Sequence, residues 1–110
     1  MGAGVPAMAS AQKTGVAHAY TVTINGEVDA SSAPLLATRL AELRSNGAAL
    51  IIVNASHVEF MDSTGLRALI VADKAMRSIG GRLLIEGMSG AVQRVLEITG
   101  LLERYGRPPE

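Results

Sequence analysis

An α/β domain is the fold class this chain predicts, and three observations predict it. Short runs of strand-forming residues alternate with stretches in which apolar residues recur every three or four positions. Most of the helical stretches close at glycine, as Asn46-Gly47, Gly80-Gly81 and Gly100. At 110 residues, with no internal repeat, the chain has room for one domain and one modest core. Strand, helix, strand, helix, strand, helix then implies a small sheet with three helices covering one face.

The elements follow in order. Residues 1–17 are rich in Ala and Gly without a period and read as a flexible arm, with a weak first strand around Met8 to Gln12 and a turn at Lys13-Thr14-Gly15. Tyr20-Thr21-Val22-Thr23-Ile24 alternates strictly and is β-branched, the pattern of a half-buried strand. Asn25-Gly26 interrupts it and Glu27-Val28-Asp29 carries the chain outward. Ser31 or Ser32 is expected to cap the next helix, with Pro34 in its first turn, where a missing N–H costs nothing. Leu36, Leu40 and Leu43 form its apolar stripe, and Arg39, Glu42 and Arg44 face solvent.

Leu50-Ile51-Ile52-Val53 is a continuous apolar run, as in a central strand covered on both faces. After Ser63 a second helix places Leu66, Leu69, Met76 and Ile79 on one side, with Asp73 one turn before Arg77 as an ion pair. Arg82 to Glu86 reads as a further buried strand, Ser89 as the cap of a third helix with Val92, Val95 and Leu96 inward, and Leu101 to Tyr105 as a last short strand. The domain proper is placed at residues 18–106, with residues 107–110 frayed.

Composition narrows the function. Apolar residues make up 48% of the chain and aromatic residues only 3%, so the core is aliphatic. Ten basic residues balance ten acidic ones, which leaves no electrostatic footprint for nucleic acid or an anionic membrane. The absence of cysteine excludes disulfides and thiolate catalysis. No apolar run approaches a bilayer span, Met1 to Ala11 lacks the positive start of a signal peptide, and Pro6 stands where a myristoylation motif needs Ser or Thr. A cytoplasmic location is the expectation. His18 and His57 show no metal-ligand spacing, and no glycine-rich loop carries a phosphate-binding lysine. Neither a metal nor a cofactor is expected, and any phosphate transfer needs a nucleotide site on another protein.

The densest signal is Phe60-Met61-Asp62-Ser63-Thr64-Gly65-Leu66, where the chain passes from loop to helix. A hydroxyl at a helix start is open to a partner, and the unpaired N–H groups of the first turn favour negative charge. Ser63 therefore reads either as a phosphorylation switch or as plain helix capping. Asp29 and Asp62 fall at strand ends on the same edge of the sheet. Paired carboxylates there suit general acid–base work or magnesium, while turn formation and N-capping explain each one separately.

Gly26-Glu27-Val28-Asp29, Ile52-Val53-Asn54, the Phe60–Leu66 motif, Gly80-Gly81-Arg82-Leu83 and Val95 to Leu101, in this order and spacing, resemble the STAS domain family, and within it the stand-alone bacterial anti-sigma factor antagonists. The resemblance implies a STAS-like fold, a small mixed sheet of four to five strands with helices on one face. It also implies a binding protein rather than an enzyme, whose partner is an anti-sigma factor of the serine-kinase type. That kinase would phosphorylate the serine after the motif's aspartate, Ser63, with Thr64 as rival acceptor, and a phosphatase would reset it. The implied partner surface holds Asp29, Asp62, Ser63, Thr64, Gly65 and Arg67. Competing implications are a STAS subunit of a stress-signalling assembly or of a lipid-transport ABC complex, and a nucleotide-binding STAS domain. Two departures stand out: Arg67 occupies a position commonly glycine in the family, and little chain follows Tyr105 for the terminal helix many members carry.

Overall fold

A computed structural model describes residues 8–105; the start of the expected arm and the expected frayed end, residues 107–110, lie outside them. Four strands form one mixed sheet in the order β1-β2-β3-β4. These are β1 (Met8–Lys13), β2 (Ala19–Val28), β3 (Leu50–Met61) and β4 (Arg82–Met88). The edge strand β1 runs antiparallel to β2, and β2, β3 and β4 are mutually parallel. Helices α1 (Ala33–Ser45) and α2 (Ser63–Ser78) are the crossovers that parallel neighbours require. Two further helices, α3 (Gly90–Thr99) and the four-residue α4 (Leu102–Tyr105), close the described chain.

The helices bury one face of the sheet. Val22, Ile24, Ile51, Val53, Leu83 and Ile85 point into the core, where Leu36, Leu40, Leu69, Met76, Val92 and Leu96 meet them. Deleting one of the Leu, Ile or Met side chains back to Ala would cost about 2–5 kcal/mol. The alternate residues Thr21, Thr23, Ile52, Asn54 and Leu84 remain half-buried. The expectation that Leu50 to Val53 is covered on both faces is therefore corrected, because no described helix lies over the second face.

Other departures have local causes. The weak first strand is present as β1, held by pairing along β2 from Met8↔Asn25 to Lys13↔Tyr20. Asn25-Gly26 does not end β2: register shifts there and a positive φ of 89° at Gly26 let the strand bend and continue to Val28. Likewise β3 runs through the polar stretch Asn54 to His57, past a register shift against β4. Leu101 to Tyr105 is not a strand. Left-handed Gly100 ends α3, and the N–H groups of Arg104 and Tyr105 fold back onto Leu101 O.

Ile79, expected inward, is 55% exposed, because it is the C-cap of α2 and lies past the last helical turn. Its place in the core argument falls to Asp73, which is buried on the stripe defined by Leu66, Leu69 and Met76. Arg77 Nε stands 3.2 Å from Asp73 Oδ2, yet that oxygen receives no aligned hydrogen bond. Tyr105 packs into the same region. Burial pushes its phenol pKa up, and the neighbouring Asp73 raises it further.

Candidate functional site at the carboxyl ends of β2 and β3

Because β2 and β3 are parallel and in register at Val28↔Met61, their next residues, Asp29 and Asp62, emerge side by side. Asp62 N donates to Val28 O at 3.3 Å, tying the two exits together. The two carboxylates then do different local work.

Asp62 is the N-cap of α2. Its backbone is extended, and Oδ1 accepts from Thr64 N at 2.9 Å and Gly65 N at 3.1 Å. Two of the orphan donors of the first turn are thereby satisfied. Ser63 follows as the first helical residue and is free of the capping task. Its side chain is exposed and makes no hydrogen bond among the described residues. Thr64 is exposed beside it.

Gly65 fixes how closely the helix approaches β2. A Cβ there would lie 2.6 Å from Val28 Cγ1 and 2.7 Å from Val28 O, inside contact distance of both. Only glycine lets the first turn of α2 seat directly on the end of β2.

Asp29 organises the loop ahead of α1. Its Oδ1 accepts from Ser31 Oγ at 2.7 Å, Ser31 N at 3.0 Å and Ser32 N at 3.3 Å, and Ser32 Oγ lies 3.3 Å away. The Ser31 hydroxyl, then the Ser31 and Ser32 N–H groups, hold its pKa below the ordinary carboxylate value. The expectation that Ser31 or Ser32 caps α1 is corrected here. Ser32 occupies the N-cap position with helical dihedrals and no side-chain cap bond. Its Oγ instead donates to Glu27 O at 2.6 Å and accepts from Asp29 N at 3.0 Å.

Arg67 lies four residues after Ser63 on the same exposed helical ridge and forms no ion pair among the described residues. Lys74 is exposed further along. The sequence reading missed Val71, which is 55% exposed between them. Its spacing from Arg67 was the available signal, since one helical turn separates neighbours on a ridge. Among the described residues no group of three or more His, Cys, Asp or Glu is placed to hold a metal ion. Both aspartates engage their own loops through Oδ1, as the turn and capping reading requires. His18 and His57 are exposed and stand apart from this edge of the loops, with His57 Nδ1 3.4 Å from Ser56 Oγ. No helix of the described chain is long and apolar enough to cross a membrane.

An exposed hydroxyl at a helix start, next to the aspartates that follow two parallel strands, on a mixed sheet with helices on one face, defines a class of small α/β domain. The STAS domain family model matches residues 9–106, and the chain belongs to that family. It is 39% identical over 82 residues to an anti-sigma-B factor antagonist of Staphylococcus aureus, covering 74% of this chain and 76% of that protein. To the anti-sigma-B factor antagonist of Bacillus subtilis it is 41% identical over 80 residues, 73% of this chain and 72% of the other. Among solved structures, the anti-sigma factor antagonist SpoIIAA in its unphosphorylated form superposes with a TM-score of 0.78 at 19% identity, covering 94% of this chain and 89% of that one. The phosphorylated form of the Bacillus protein SpoIIAA gives 0.73 at 16% identity, covering 94% and 92%. At these identities the structural likeness speaks for the fold.

Proposed function

We propose that this chain is an anti-sigma factor antagonist, active in the cytoplasm. In this reading it binds an anti-sigma factor that is also a serine kinase, releases the sigma factor, and is switched off by phosphorylation of Ser63. The observation that carries the reading is the exposed Ser63 hydroxyl, freed from capping by Asp62 and left without an internal partner at the first turn of α2. The antagonist relatives at 39% and 41% identity support the class of partner.

The chemistry divides between the two proteins. The kinase supplies ATP; Ser63 Oγ gives up its proton to a base on the kinase, an O–P bond forms to the γ-phosphorus, and ADP leaves. A separate phosphatase delivers water to the phosphoserine, restoring the hydroxyl and releasing inorganic phosphate. This chain contributes the acceptor and its setting, and no catalysis of its own.

Added phosphate brings about −1.5 to −2 charges at neutral pH. The N-terminus of α2 accommodates that charge, so the fold persists. The interface does not persist. Asp62 and Asp29 already make this edge acidic, and a surface shaped for a neutral hydroxyl then faces repulsion and desolvation. Arg67, one turn away, is placed to pair with the phosphate and sets how complete the switch is.

Incubation with the kinase and ATP, followed by mass spectrometry, tests the acceptor: phosphate on Ser63 is expected, and phosphate only on Thr64 sinks the assignment. Ser63→Ala should bind constitutively, while Ser63→Glu should lose affinity by about a hundredfold, equal to about 2.7 kcal/mol.

A further inference from the structure

We infer that the same protein partner inserts an extended segment of its chain between β3 and α3, adding a strand to the free edge of β3 next to Ser63. The inference rests on the proposed partner at Ser63 and extends its footprint. Its basis is a mismatch in strand length. β4 pairs with β3 only from Leu50↔Arg82 to Ala55↔Met88, while β3 runs on to Met61. Ser89 N to Ala55 O, at 3.1 Å, is the last backbone bond on that side. His57, Val58, Phe60 and Met61 continue to pair with β2 on their other edge, as far as Val28↔Met61, with register shifts that skip Ser56 and Glu59.

Alternate residues of a strand direct their N–H and C=O groups to opposite edges, so part of residues 57–61 offers donors and acceptors where β4 has departed. No backbone hydrogen bond joins those residues to α3 among the described residues. At about 3.3 Å per residue, residues 56–61 present roughly 20 Å of edge.

Between this edge and α3 lies an open groove of about 550 Å³, lined by Glu59, Phe60, Met61, Arg94, Val95 and Ile98. Phe60 is 47% exposed and Ile98 76% exposed, and both border the groove. Large apolar side chains left facing water around a concave surface mark a contact site. Arg94 is exposed and forms no ion pair among the described residues.

The groove therefore fits an extended peptide with apolar side chains at alternate positions and an acid to meet Arg94. Main-chain bonds to β3 would supply affinity, and Phe60, Val95 and Ile98 would supply selectivity. Continuity names the occupant. Met61 lines the groove, Asp62 is the next residue, and Ser63 the one after, so a protein seated on Ser63 reaches the groove without a gap.

The test compares the wild-type chain with Ile98→Asp, Arg94→Glu and Ser63→Glu, using an anti-sigma factor kinase that binds the wild type. Ile98→Asp is expected to weaken binding at least tenfold and Arg94→Glu severalfold, each with an unchanged melting temperature. Amide exchange at Glu59 to Met61 should slow in the wild-type complex. Wild-type affinity in both groove variants, with Ser63→Glu still defective, overturns the groove and leaves the Ser63 reading standing. The reverse pattern overturns the Ser63 reading alone. Lost affinity with unchanged amide exchange overturns strand addition. Self-association of the chain that Ile98→Asp abolishes assigns the groove to a second copy and overturns the proposed occupant. Failure of every such kinase to bind the wild type overturns both readings.

Discussion

Ser32 and Ser63 stand at the starts of α1 and α2, each helix following a parallel strand and an aspartate, and yet they have opposite fates. Ser32 is 1% exposed, and its hydroxyl is consumed between Glu27 O and Asp29 N. Ser63 is exposed, and its hydroxyl makes no hydrogen bond among the described residues. The difference lies in the spacing between acid and helix. Asp62 adjoins α2 directly and caps it, so Ser63 is released. Asp29 lies further from α1, and its loop must fold back on itself, drawing Ser32 inside. Two serines of similar sequence setting become a structural bolt and an exposed hydroxyl.

Stability measurements should break the pair apart. Ser32→Ala removes a donor to Glu27 O and an acceptor from Asp29 N at a buried position, at an expected cost of about 2–3 kcal/mol. Ser63→Ala should stay within about 0.5 kcal/mol of wild type. Urea unfolding of the two variants decides the matter, and equal losses would show that the distinction between a structural and a free hydroxyl is wrong.

Gly65→Ala comes next. The added methyl would sit 2.7 Å from Val28 O, a backbone atom that cannot rotate away, so α2 must shift from the end of β2. Overpacking of this kind costs about 1–3 kcal/mol. The expected outcome is a lowered melting temperature together with shifted amide resonances at Val28 and Asp29. A variant as stable as wild type would show that the close approach is not required.

Much of this site was legible in the sequence. An apolar run, an acid, two hydroxyls and a glycine before a periodic stretch specify a capped helix start, and Asp62, Ser63 and Thr64 lie where that pattern puts them. The role of Ser32 was not legible, because a serine before Pro34 reads as an N-cap, whereas the loop's hydrogen bonds depend on the tertiary position of Glu27 O. The length of β3 was hidden for a related reason. Asn54, Ser56 and His57 look like a turn, but Asn54 Oδ1 accepts from Ser56 N and Oγ within a bulge and the strand resumes. Asp73 reads as the partner of Arg77, and the pair forms, but its spacing from Leu66, Leu69 and Met76 also put it on the buried stripe. Periodicity carried that information, and residue type obscured it.

Asp62→Ala sharpens the comparison from the side of the acids. It removes a cap that satisfies Thr64 N and Gly65 N, for an expected loss of about 1 kcal/mol. The first turn of α2 should fray, giving faster amide exchange at Thr64 and Gly65 with the rest of the helix protected. Asp62→Asn should recover most of the loss, since the acceptor oxygen is retained.

The smallest expected effect belongs to Asp29, and it appears as a dependence on pH. The Ser31 hydroxyl foremost, then the Ser31 and Ser32 N–H groups, hold its folded-state pKa below the ordinary value. A carboxylate with a depressed folded pKa contributes stability above its unfolded pKa, near about 3.9, and loses it as pH falls through the folded value. Wild type should therefore lose part of its stability on acidification below about pH 4, while Asp29→Asn, which cannot titrate, should show a shallower decline over the same window. Because the loop is open to solvent, the difference in slope should be small, and at neutral pH the variant should retain most of the stability, since its side-chain oxygen still accepts from Ser31. Urea midpoints measured from pH 3 to pH 7 for both chains check this. Parallel curves would mean that the bonds from Ser31 and Ser32 fix the geometry of the loop without favouring its charged form.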